Sequence, residues 1–128
     1  MQEKNNPLSP HLQIYKWQIS SLLSITHRIV GVINILAISA ICFWSLFLFL
    51  GAENYEVLNN FFNSFFGKFI AVGLCWTFSF HILNELRHLF WDMGYGFDLK
   101  ISRITGVLAL VGSFALTILF NFIGKNFF

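Results

Sequence analysis

The chain has 128 residues, 56% of them hydrophobic and 11% charged, with a formal net charge of +2. Soluble domains carry about 25% charged residues, so this composition excludes a water-soluble domain of this size and points to a single integral-membrane domain. So small a positive charge also argues against a nucleic-acid partner and leaves the lipid bilayer as the expected surroundings.

The first residues, Met1-Gln2-Glu3-Lys4-Asn5-Asn6, contain no Arg, include an acid and are not followed directly by an apolar run. A cleaved presequence would instead be basic, avoid acids or lead straight into an apolar run, so the expectation is a multi-pass protein of a bacterial inner membrane, or of the mitochondrial inner membrane and made inside the organelle. Pro7 and Pro10 exclude a regular helix nearby, and residues 1–20 read as an irregular tail. Ser20 or Ser21 is a suitable N-cap for a helix that runs through the apolar stretch Ile29–Leu50. A crossing needs about 20 apolar residues. Three segments qualify, about 21–50, 65–90 and 104–123, so the fold expected of residues 21–128 is an all-α bundle of three transmembrane helices. Residues 51–64 and 91–103 read as connections.

Lys4, Lys16, Arg28, Arg87, Lys100 and Arg103 fall on the N-terminal side of this bundle, against Lys68 and Lys125 on the other. Positive loops stay inside, so the N-terminus is expected inside. Tyr15, Trp17, Trp91 and Tyr95 then form an inner aromatic belt. On the third span Gly106, Ala109, Ser113 and Thr117 recur on one face, a small-residue stripe suited to close helix packing. Cys42 and Cys75 form no C-x-x-C pair, which disfavours iron–sulfur ligation and covalent haem attachment.

Two polar groups of residues carry the chemistry. Ser24, His27, Arg28 and Gly31 recur at i, i+3, i+4 and i+7, hence on one face at the mouth of the first span. A hydroxyl, an imidazole and a guanidinium beside a glycine can receive a quinone head, whose carbonyl oxygens need donors. They can equally be an arginine reaching lipid phosphates and a serine bonded to its own helix. The second group is His81, Glu85 and His88, with Asp92 one turn on. Polar side chains at membrane depth usually mark a site, and an imidazole at the depth of His81 can ligate haem iron or hydrogen-bond a neighbouring helix. His88 can pair with Asp92 or a haem propionate, and Arg87 can also meet a propionate. The depth of His27 does not match that of His81, so a second axial ligand is expected from another subunit. A proton relay through His81 and Glu85 would need a polar path to the outer side, which the spans lack.

In this order and at these separations, Pro7-Leu8-Ser9-Pro10-His11-Leu12 with Tyr15, Ser24-Ile25-Thr26-His27-Arg28 with Gly31, and His81 followed by Arg87-His88-Leu89, Asp92 and Gly94 resemble the cytochrome b556-type anchor subunit of succinate dehydrogenase, respiratory complex II. The resemblance covers nearly the whole chain. It implies a membrane anchor that does not itself oxidise succinate. The partners it implies are a flavoprotein subunit, an iron–sulfur subunit and a second membrane anchor, with residues 1–20 docking on the soluble subunits. It further implies ubiquinone as substrate with Ser24 and Arg28 at its site, haem b shared with the second anchor, His81 as this chain's axial iron ligand, and His27, Arg87 and His88 near the propionates. Two positions depart from the pattern: Asn6 stands where a basic residue is usual, and Glu85 where the family usually has Gly. Glu85 would be expected to pair with Arg87, with Arg28 or with a partner residue. The alternative is a purely structural anchor without haem.

Overall fold

Long apolar runs must satisfy their backbone hydrogen bonds internally once in lipid, and a helix does so within one segment. The computed structural model, which describes residues 17–49 and 51–127, is accordingly helical, with no strand among them. Its elements are α1 (Ile19–Phe49), α2 (Ala52–Asn63), α3 (Phe65–Asp92) and α4 (Leu99–Phe127). Three of these helices, α1, α3 and α4, are long and apolar enough to cross a membrane. The tail containing Pro7–Tyr15 lies outside the described residues.

The helices outrun the expected spans because apolarity marks only their lipid-covered part. Gln18 O accepts the first bonds of α1, from the amides of Ser21 and Leu22, so Ser20 and Ser21 lie in the first turn rather than before it. Asp98 O accepts from Ser102 N at 2.8 Å, which starts α4 ahead of Ile104 through the polar residues Lys100, Ser102 and Arg103. The expected connection 51–64 is itself largely helical. Gly51, at φ +130°, ends the link from α1 in a conformation that suits glycine. At the α2–α3 corner Ser64 Oγ accepts from Gly67 N at 3.1 Å and donates to Phe61 O at 2.6 Å. A Cβ at Gly67 would strike Phe61 O and lie 2.6 Å from Phe62 Cα, so the corner closes only around glycine.

Packing follows the small-residue stripe. Gly106, Ala109, Ser113 and Thr117 are all buried, and Gly106 lies against Leu23 of α1 and Arg87 of α3. Trp76 stacks between Phe80 and Phe114, at 5.7 and 5.5 Å between centroids. Leu23, Val30 and Phe80 form the core cluster, while Ile35, Leu36, Phe69 and Ile118 face outward, as lipid-facing side chains do. A polar pair crosses this interior: Thr77 Oγ1 donates to Asn34 Oδ1 at 2.8 Å, and Asn34 Nδ2 to Thr77 O at 3.4 Å. Asn34 is the one amide side chain in the apolar run Ile29–Leu50.

Candidate functional site: a histidine cluster between α1 and α3

The helix rise sets which side chains meet. His27 is about 12 Å along α1 from Ile19, while His81 and His88 are about 16 and 6 Å from Asp92 at the end of α3. Because α1 and α3 run in opposite directions, His27 falls level with the gap between the other two. Its ring stacks on His81 at 4.5 Å between centroids, 10° from parallel, and on His88 at 5.4 Å. The expectation that His27 and His81 differ in depth is therefore corrected. It placed His27 at the mouth of the apolar run, whereas α1 starts well before that run.

Gly31, one turn beyond His27, makes room for the arrangement. A Cβ built there would lie 3.5 Å from His81 Cε1, so a longer side chain would enter the ring's space. Glu85 closes the group. Its Oε1 lies 3.1 Å from His27 Nε2 and 3.9 Å from His81 Nε2, rather than on Arg87 or Arg28. The ligand atoms of His27, His81 and Glu85 lie within 4.8 Å of one another. Near-parallel stacked rings, however, aim their lone pairs side by side instead of at one point, so this arrangement is not a ready chelate for a single ion. His81 Nδ1 is buried without a hydrogen-bond partner. Its ring lines an open hollow of about 320 Å³ with Ile82, Glu85, Leu86 and Leu89.

The other singled-out residues divide by helix face. Ser24 and Arg28 are exposed on α1, while His27 and Gly31 turn inward, so the single face expected of the four splits in two. Nδ1 of His88 bonds the carbonyl of Asn84 at 2.7 Å instead of pairing with Asp92. Arg87 is buried and turns to α4: Nη2 donates to Ser102 O at 2.8 Å and Ser102 Oγ at 3.0 Å, and Nε to Thr105 Oγ1 at 3.2 Å. Trp91 covers it, with the guanidinium carbon 4.1 Å from the ring centroid, and so does more than line an interface belt. A second hollow, of about 540 Å³, opens between α3 and α4 beside Arg87, Trp91 and Tyr95. It is the roomier one, but the guanidinium on its wall is already engaged, whereas the smaller hollow carries the imidazole of His81 and the carboxylate of Glu85.

Residues 2–120 match the family described as succinate dehydrogenase/fumarate reductase transmembrane subunit. The chain belongs to this family. It is 45% identical to the succinate dehydrogenase cytochrome b556 subunit of Rickettsia felis, over 88% of each chain. The subunit of the same name from Paracoccus denitrificans is 32% identical over 90% of this chain and 88% of its own. The cytochrome b560 subunit of Reclinomonas americana is 37% identical over 90% and 83%. With its three long apolar helices, this member of the succinate dehydrogenase/fumarate reductase transmembrane family is a multi-pass inner-membrane protein.

Proposed function

We propose that the chain is the anchor subunit of a succinate:quinone oxidoreductase, in which it helps to form the ubiquinone-reduction site and ligates haem b jointly with a second membrane anchor. Its relatives named as succinate dehydrogenase subunits support assembly with a flavoprotein and an iron–sulfur subunit. These would dock on the inner side, where α1 starts and α3 ends. The carrying observation is His81, an imidazole at lipid depth that lines an apolar hollow while its buried Nδ1 has no partner.

The residues fit an iron porphyrin. His81 offers a nitrogen donor beside Ile82, Leu86 and Leu89, which suit an apolar macrocycle, and Gly31 leaves its ring the space it occupies. His27 stacks on the ring of His81, so a second ligand to the iron would come from the partner anchor. His27 and His88 would lie near the propionates, while Arg87 holds α4 against the helix that carries His81. The haem, when bound, supplies a one-electron store. Ser24 and Arg28, exposed one turn apart, are left for the quinone. Two electrons and two protons convert quinone to quinol, and negative charge builds on its carbonyl oxygens as the electrons arrive. A serine hydroxyl and a guanidinium donate hydrogen bonds to those oxygens and stabilise that charge.

Ser24→Ala and Arg28→Leu are expected to depress quinone reduction by the purified complex while succinate-to-dye activity stays intact; unchanged quinone turnover in both would remove the site. His81→Leu is expected to abolish or shift the b-type absorption, and an unaltered spectrum would place the ligand elsewhere. A second reading, an anchor without haem, is favoured by the carboxylate of Glu85 close to His81 Nε2. A reduced-minus-oxidised spectrum of the purified complex separates the two.

A further inference from the structure

Glu85 is placed where no simple packing role requires a carboxylate. Its Oε1 contacts His27 at 3.1 Å and approaches His81 Nε2 at 3.9 Å, on the wall of the hollow that His81 lines. Among the described residues no Lys or Arg pairs with it. Arg87, two positions on, is turned away to Ser102 and Thr105 of α4, and Arg28 is exposed on α1. The group of three thus carries one anionic side chain and no guanidinium or ammonium to balance it. The remaining wall, Ile82, Leu86 and Leu89, is aliphatic. The Glu85 side chain is 56% exposed beside this hollow, so its charge is felt by a group that fills it.

We infer that Glu85 sets the redox potential of the haem that His81 would hold: its carboxylate stabilises the ferric over the ferrous state and so draws the midpoint potential down. This rests on the haem reading above. The physical reason is the change of charge at the iron. One electron takes the ferric centre to ferrous and removes one positive charge, and a fixed negative charge nearby opposes that loss. Burial, hydrogen bonding and local charge are the protein's means of tuning such a centre once its ligands are set. The functional consequence is a haem that gives up its electron readily, so that the quinone rather than the haem is where electrons come to rest.

The test is a dye-mediated redox titration of the b-type band in the purified complex at neutral pH, with wild type, Glu85→Gln, Glu85→Gly and Glu85→Asp. Gln and Gly both remove the charge, so both variants are expected to titrate at a more positive potential than wild type, and by similar shifts. Asp keeps the charge and is expected to stay close to wild type. If Gln does not assemble, Gly against Asp makes the same comparison. A wild-type or more negative potential in the charge-free variants overturns the inference, as does a shift in Gly alone, which would reflect space and not charge. A wild-type complex without any b-type band overturns the haem reading together with this one. A normal band at an unmoved potential overturns only the role of Glu85.

Discussion

Arg87→Met removes the clamp between α3 and α4 while keeping a long side chain in the space. Three hydrogen bonds are lost, to Ser102 O, Ser102 Oγ and Thr105 Oγ1, with the stacking on Trp91. The 3.5 Å contact with Asn84 Oδ1 is too long to add much. Side-chain hydrogen bonds between membrane helices contribute about 0.6 kcal/mol on average and about 1.7 at most, so three contribute about 2–5. A guanidinium over an indole adds about 0.5–2 kcal/mol. Against this, methionine no longer holds a charge in a buried position, which returns part of the loss. The expected net destabilisation is about 2–4 kcal/mol. Lysine at the same position can reach Ser102 but cannot span to Thr105, and is expected to recover about half, since it lacks the planar fork. Denaturation of the purified complex by SDS in mild detergent micelles, followed by far-ultraviolet circular dichroism, measures both variants. If Arg87→Met unfolds within about 0.5 kcal/mol of wild type, the range of an ordinary surface change, Arg87 does not clamp α3 to α4.

Three further outcomes are expected. Gly31→Ala should leave the b-type spectrum intact, because its Cβ makes only ordinary contact with His81 at 3.5 Å, whereas Gly31→Leu should shift or bleach it; identical spectra in Leu and wild type would show that the ring is not held there. A double-mutant cycle of Asn34→Leu with Thr77→Val should return a coupling of about 0.6–1.7 kcal/mol, and strictly additive losses would mean that the pair does not form in the membrane. With Cys42 and Cys75 replaced by Ala, cysteines placed at Lys68 and Lys125 should react with an impermeant thiol reagent applied outside the cell, and one at Lys100 should not; the reverse pattern would invert the orientation.

The spans and the stripe were legible because each is a local regularity. Apolar length marks α1, α3 and α4, and four small residues at helical spacing mark the buried face of α4. The joint face of His81, Glu85 and His88 follows from the same periodicity. Less legible was α2, a short helix in which Asn59, Asn60 and Asn63 break the apolar pattern. The stacking of His27 on His81 depends on where α1 begins, and hydropathy gives only where its lipid-covered part begins. The contacts of Arg87 with Ser102 and Thr105 and of Glu85 with His27 reach other helices, and the sequence near each residue holds no record of them. Glu85 stands out in the sequence as a departure, but its contact with His27 comes from the crossing of two helices.

The bond between Asn34 and Thr77 acts as a vernier for the cluster. Asn34 lies two turns beyond His27 on α1, and Thr77 one turn before His81 on α3, so the amide pair and the stacked rings are read off the same two rods. Sliding α1 by one turn, about 5.4 Å, would strand an amide in hydrocarbon and part the rings together. The vertical offset of the two helices therefore takes discrete values, and the depth at which the imidazoles sit is fixed from a point well above them.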